Sequence, residues 1–438
     1  MMRTDAHGNI VTGATLRALG LYERALDGFL AWSGDSRSDA LRAVEEAPGF
    51  TMGHAMVALL HMVGRDPTYL PVARASLARL RELPQTERER SYGAAIATGI
   101  TGDFEGIRNL IGGIAKRYPR DLLALAMAHT LDYLLGDTRA QCDRVAAALP
   151  AWSRADHGYH GILAMHAFGL AETGEYGRAE ATAFAALDLA PANLRAHHAR
   201  AHVLEMQGRM AEGVRWMKER LAHWDRPGAS GTHVWWHLAL YHLDLGDTKR
   251  ALEIYDARLA DGDAGVSELI DAAALLWRLK LRGTTVEERW IRLAYRWAPR
   301  AEHAFCAFAD VHAMLAFVGA GRRDLQQQLL RAQRRRLARG GTNVEMIRKV
   351  GLPAAEALAA FGHGDYAAAA ERLRGLPGVS HRLGGSHAQR GILGLTLREA
   401  RKRRPRTLLP DLGFLQRSSW RASSGVHTLQ QMSASSAA

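Results

Sequence analysis

A glycine followed by a polar residue recurs along this 438-residue chain at nearly fixed intervals. The pairs are Gly64-Arg65, Gly102-Asp103, Gly136-Asp137, Gly174-Glu175, Gly208-Arg209, Gly246-Asp247, Gly283-Thr284, Gly321-Arg322 and Gly364-Asp365, with steps of 38, 34, 38, 34, 38, 37, 38 and 43 residues. Self-similarity at such a period is the signature of a repeat architecture. Helix-forming residues precede each glycine, and a second helical run follows it, often ending near a proline such as Pro119, Pro150, Pro191, Pro227 or Pro299. Glycine suits the left-handed turn that ends one helix, and proline stops the next. The repeating unit is therefore a helix-turn-helix hairpin, and the expected fold class is all-α. Gly34-Asp35, with Ala40 and Pro48, reads as an earlier and less regular copy.

Copies such as GEYGRAEATAFAALDLAP and GDTKRALEIYD place alanine five residues after the glycine, where two helices can approach closely. In this the unit resembles the tetratricopeptide repeat, with its G-D/N-Y-x-x-A turn and terminal proline. The resemblance covers residues ~15 to ~395 in about ten hairpins, and it implies a right-handed superhelical solenoid whose first helices line a concave groove. It also implies groove positions 13, 10, 6, 3 and 2 residues before each turn glycine. The strings HAFGLAETGEY, AHVLEMQGR, WWHLALYHLDLGD, DAAALLWRL, DVHAMLAFVGAGR and RLGGSHAQR further resemble the tetratricopeptide repeat protein 38 family, from the HGN near residue 7 to Arg390. That family implies a cytosolic repeat protein and no particular reaction.

The solenoid is expected over residues 1–395. Residues 396–438, beginning within the Arg-rich run and ending in Ser and Ala, break the metre and read as a disordered or aberrant tail. The resemblance leads one to expect further helices after Leu397, and a frameshifted or truncated end would account for the change of composition. Charge follows the same division. Residues 321–350 carry net +7 and residues 398–438 net +6 against +12 for the whole chain, so the basicity is local. A nucleic-acid footprint requires a basic face joined to aromatics or to a binding motif, and these runs offer neither. They read as a solvated helix face, with salt-dependent RNA binding through 321–350 and the tail as a weaker alternative. There is no apolar h-region at the N-terminus and no apolar run near eighteen residues, so neither secretion nor a membrane is expected. Cys142 and Cys306 are too few for a disulfide framework, which agrees with a cytoplasmic protein.

The groove offsets select His198, His202 and Glu205 before Gly208, a single stripe at i, i+4 and i+7. Two imidazoles one turn apart can converge on a divalent cation, and these three residues are the metal candidates. The simpler reading is mutual hydrogen bonding, so no cofactor is required. In the next first helix the offsets place His233, Trp236 and Asp244 in the groove and leave Trp235, His237 and His242 between helices. Asp310 and His312 lie early in a later first helix, His387 and Arg390 follow a Gly-Gly turn, and His129 and Asp132 form an earlier pair. Strong curvature would gather His202, Glu205, His237, His242, Asp310, His312, His387 and Arg390 around one polar cavity. Phosphate-loop, zincin and nucleophile-elbow motifs are all absent. The leading expectation is a scaffold that binds a protein or peptide partner in its concave groove. The alternative is an enzyme or small-molecule binder with a His/Glu/Asp/Trp-lined pocket, metal-dependent or not.

Overall fold

The structure, a computed structural model, describes residues 2–226, 231–260 and 265–404. Pro227 and residues 405–438, most of the expected tail, lie outside the described residues. What is described is almost entirely α-helical. Around the turn glycines, in order, stand α1 (Leu16–Ala31) and α2 (Ser36–Glu46), α3 (Thr51–Met62) and α4 (Leu70–Glu82), α5 (Glu87–Ile100) and α6 (Phe104–Arg117), α7 (Leu122–Leu135) and α8 (Thr138–Ala148). They are followed by α9 (Tyr159–Glu172) and α10 (Tyr176–Leu189), α11 (Leu194–Met206) and α12 (Met210–Glu219), with the short α13 (Leu221–Trp224) behind them. Next come α14 (Thr232–Asp244) and α15 (Thr248–Ile254), α16 (Val266–Leu281) and α17 (Glu287–Trp297), and α18 (Ala307–Gly319) and α19 (Arg323–Arg336). After the short α20 (Thr342–Met346), α21 (Leu352–Gly362) and α22 (Tyr366–Leu373) form another pair, and the short α23 (Leu376–Val379) leads to α24 (His387–Arg403). A small antiparallel hairpin, β1 (Met2–Thr4) with β2 (Ile10–Thr12), precedes α1 and pairs Arg3 with Val11. It is the one departure from helix that the repeat pattern gave no sign of.

The Gly-Asp turn has a two-part physical cause. Gly34, Gly102, Gly136, Gly174, Gly208, Gly246, Gly283, Gly321 and Gly364 all adopt positive φ, the left-handed conformation that ends a helix. The aspartate after the glycine then caps the following helix. Side chains of Asp35, Asp103, Asp137, Asp247 and Asp365 each accept from the backbone N–H three residues on, and such a cap is worth ~1 kcal/mol. Five residues past the glycine, Ala179, Ala251 and Ala369 are buried at the helix crossing. At the equivalent Gly213 an added Cβ would fall 2.5 Å from the Tyr241 ring.

Successive hairpins pack on one another, the first helices α9 and α11, α11 and α14, and α14 and α16 in particular. Distant hairpins also meet. Helix α1 touches α9 and α11, and Arg195 on α11 donates to the Leu30 carbonyl at 3.1 Å. Asp66 pairs with Arg300 across 234 positions, and α24 packs on α11, α16, α21 and α22. These closures bring first helices from separate parts of the chain around one interior. Helix α24 continues past residue 395, where the repeat pattern stops, because Ile392, Leu393, Thr396, Leu397 and Ala400 form a buried stripe. Thr396 there accepts from the Trp277 indole at 2.9 Å. Among the described residues no helix is long and apolar enough to cross a membrane.

Candidate functional site

Helix α11 begins at Asn193, whose side chain accepts from the Ala196 N–H, and this register sets His198 and His202 one turn apart on one face. Helix α14 packs beside it and carries His233 and His237, also one turn apart. Two i, i+4 pairs on neighbouring helices make a square of imidazoles. The ring centroids are 4.5 Å apart for His198 and His202 and for His202 and His237, and 4.9 Å for His198 and His233 and for His233 and His237. One nitrogen from each of the four rings lies within 4.8 Å of the other three. His202 and His237 are fully buried.

The outer edges of three rings meet carboxylates. His237 Nδ1 is hydrogen-bonded to Glu205 at 2.8 Å and His233 Nδ1 donates to Asp271 at 2.7 Å, while His202 Nδ1 stands 3.3 Å from Glu172. Each carboxylate comes from a different helix: Glu172 ends α9, Glu205 lies on α11 and Asp271 on α16. A ring that donates Nδ1–H outward keeps its Nε2 lone pair facing inward. His202 Nε2 and His198 Nε2 are 3.0 Å apart, and the buried Nε2 of His237 and Nδ1 of His198 have no hydrogen-bond partner. A buried polar nitrogen left so costs about 1–3 kcal/mol. One Nε2 of the His198–His202 pair donates to the other, and imidazole nitrogens gathered in this way with carboxylates behind the rings have the arrangement usual for histidine metal ligands.

Electrostatics point the same way. Burial pushes the imidazoles of His198 and His237 far below their ordinary range, with the neighbouring rings adding to the effect. Burial also lowers His202, against the opposing pull of Glu172. These three rings are neutral at pH 7, the form that binds metal. Burial alone would raise Glu172, but the neighbouring His202 and the hydrogen-bonded His387 hold its carboxyl well below the usual range. Glu205 goes the other way, pushed up to about 8 by burial with Arg278 only partly offsetting it.

Aromatic rings surround the square. Trp32 lies 4.7 Å from His198, Phe168 lies 5.1 Å from His198 and His202, and Trp236 stacks on His233 at 5.2 Å and 13°. Beside them opens a cavity of about 490 Å³, whose wall includes His198, His233 and Asp271 together with Trp32, Arg65, Tyr133, Phe168, Arg195 and Gln389. The imidazole square thus presents one edge to a chamber large enough for a small molecule.

The expected residues fall into three groups. His198, His202, His233 and His237 converge, with Glu205 tied to His237 and Trp236 stacked on His233. The single-helix set of His198, His202 and Glu205 is not how the donors assemble: Glu205 lies a further turn along α11 and reaches the outer nitrogen of His237, so the second histidine pair comes from α14. His237, expected between helices, faces the cluster because it shares a face with His233. His387 and Arg390 join through Glu172, at 2.8 Å and 3.9 Å, from the far end of the chain. The remaining candidates have local partners. His242 contacts Asp247 at 3.1 Å, Asp310 accepts from Gln333 at 3.2 Å, and His312 Nδ1 lies 2.8 Å from the Phe308 carbonyl. Burial raises Asp310 to about 7 and lowers His312 to about 3. Of the earlier pair, His129 lines the cavity while Asp132 is held by Arg144. Asp244 pairs with Arg282.

Sequence reasoning missed Glu172, Asp271, Trp32, Tyr133, Phe168, Arg195 and Arg65. A signal existed for five of them. Trp32 and Glu172 stand two residues before Gly34 and Gly174, Tyr133 three before Gly136, Phe168 six before Gly174 and Arg195 thirteen before Gly208. Those are the groove offsets, which needed only to be applied in every repeat. Asp271 falls one position from an offset, and Arg65 follows its glycine. A scan of the chain against protein-family models gives no match.

Proposed function

We propose that this chain is a tetratricopeptide-like solenoid, similar to the tetratricopeptide repeat protein 38 family, whose right-handed superhelix encloses a divalent transition-metal site. In this reading it is a metal-dependent enzyme acting on a small molecule, in the cytoplasm. The observation that carries it is the square of His198, His202, His233 and His237, with nitrogens converging and with Glu172, Asp271 and Glu205 behind three of the rings. Imidazole donors suit zinc, copper, iron and nickel. Donors of a tetrahedral zinc lie about 3.4 Å apart when each bond is ~2.0–2.1 Å, so the four nitrogens need contract only modestly. A bound ion of this kind supplies Lewis-acid polarisation of a ligand oxygen.

The chain's own residues supply the rest. Glu172, Asp271 and Glu205 fix ring orientation, and Trp32, Phe168 and Trp236 exclude water from the donors. His198 and His233 connect the donor set to the cavity. Imidazole nitrogens fully shut from solvent at His202 and His237 are out of reach of a peptide in an open groove. Metal analysis of the purified full chain after loading with zinc and dialysis tests the reading. One ion per chain, lost in His202→Ala and His237→Ala, supports it. Sub-stoichiometric metal, with melting unmoved by chelator, would sink it and leave the peptide groove as the better account.

A further inference from the structure

Two residues in the cavity wall stand in a backbone conformation their side chains disfavour. Trp32 has φ 55° and Arg65 has φ 59°, and with Ala304 they are the described non-glycine residues at positive φ. A bulky residue in the left-handed region is a true outlier, and such strain gathers at functional sites. At Arg65 the outlier is the more telling because a glycine stands next to it. In the other hairpins the turn glycine itself takes the left-handed position; here Gly64 does not, and the strained place falls to Arg65.

The strain brings a guanidinium into the chamber. Arg65 is 8% exposed, Nη2 reaches Ser267 Oγ at 3.3 Å, and Nε and Nη1 are buried with no hydrogen-bond partner. It has no carboxylate partner among the described residues, and it lies over the faces of Tyr133 and Phe308 at 5.9 and 5.4 Å. Arg195, 5% exposed in the same wall, spends its Nε and Nη2 on the carbonyls of Leu30 and Phe29 and likewise pairs with no acid. Of the acids lining the chamber, Asp271 already holds His233, Asp35 is exposed as the cap of α2, and the half-buried Glu268 forms no ion pair with Arg65. Nε and Nη1 leave the guanidinium on either side of Nη2, so each bidentate edge of Arg65 keeps one unpartnered donor beside the Nη2 that reaches Ser267, and a buried cation with unmet donors suits an oxyanion. The surrounding walls of Trp32, Tyr133 and Phe168 suit a flat apolar body.

We propose that the cavity binds a small organic anion, a carboxylate or phosphate on a flat apolar body, with the anionic group seated on the Arg65 guanidinium. The proposal rests on the small-molecule reading of the cavity and not on the metal. Arg65 is then a binding residue, and its left-handed backbone is retained because glycine would leave the anion without its partner.

The test is calorimetric titration of the full chain, zinc-loaded and chelated, with benzoate, phenyl phosphate and the neutral benzyl alcohol. Benzoate, phenyl phosphate or both should bind in either state, at least tenfold more tightly than benzyl alcohol, and whichever binds identifies the headgroup. Arg65→Gly should lose tenfold or more of that affinity while melting at the same temperature or higher, since it relieves the backbone. Arg65→Lys, which keeps the charge without the planar guanidinium, should fall between. Equal binding of benzyl alcohol, no anion binding, or unchanged affinity in Arg65→Gly would overturn the proposal. Zinc binding without anion binding removes this inference alone, whereas anion binding that depends on Arg65 in protein that takes up no zinc removes only the metal reading.

Discussion

At the scale of single residues, His237 shows how the site is made. Its Nδ1 is engaged by Glu205, and its Nε2 is buried without a partner. Replacing Glu205 by Gln keeps the shape but weakens the tie, and a change of this kind typically costs 10–100-fold in metal affinity. We expect that loss in a competition titration for Glu205→Gln, and a larger one for His237→Ala. Proton linkage gives an independent check on the metal-free protein. His198, His202 and His237 have folded pKa values below the unfolded ~6.5, so acidification below that value favours the unfolded chain, which binds more protons. Glu205 acts oppositely: its folded value of about 8 exceeds the unfolded one, so its contribution is present at low pH and fades as pH rises through 8. Apo stability should therefore fall from pH 6.5 to pH 5, and Glu205→Gln should steepen that fall by up to ~1.4 kcal/mol per pH unit. A melting series in which the variant is shallower would contradict this assignment. Because Glu205 is largely protonated at pH 7, loading with metal should also release protons, visible as heats that depend on the buffer.

At the scale of elements, the turn glycines divide by what surrounds them. Gly174 has φ +84° and nothing within 4 Å of an added Cβ, so Gly174→Ala should cost only the left-handed penalty of ~1–2 kcal/mol. Gly136 has φ +69° and an added Cβ would fall 1.8 Å from the His381 carbonyl oxygen, so Gly136→Ala should cost several-fold more. Denaturant unfolding of the two variants compares them directly, and equal losses would refute the packing of α7 against the His381 segment. The pattern of turns was legible in the sequence because its causes are local, a left-handed glycine at nearly every turn and an aspartate cap at five of them. The β1–β2 hairpin was not legible, since three-residue strands leave almost no period to read. The continuation of α24 was hidden by charge: Arg401, Lys402 and Arg403 mask the stripe of Ile392, Thr396, Leu397 and Ala400.

At the scale of the whole molecule, the donor set depends on contacts that cross the chain. Glu172 on α9 meets His202 on α11 and His387 on α24, and Arg195 on α11 meets the end of α1. No local pattern encodes such meetings; they follow from how hairpins accumulate curvature. That is why the sequence named His198, His202, His233, His237 and His387 as candidates yet left Glu172 and Asp271, which tie them together, unnamed. Ending the chain after Leu395 would remove Thr396, Leu397 and Ala400 from the interior, along with the bond to Trp277. We expect that truncation to lower the melting temperature and to weaken metal binding through Glu172 and His387. A truncated chain that melts and binds as the intact one does would show that α24 is not needed to hold the site. The most direct test of the central claim is X-ray absorption on the zinc-loaded full chain. The account predicts a first shell of nitrogen from imidazoles at ~2.0–2.1 Å, with the imidazole count reduced in His233→Ala and His237→Ala. A shell dominated by water or carboxylate oxygen, unchanged in both variants, would contradict it.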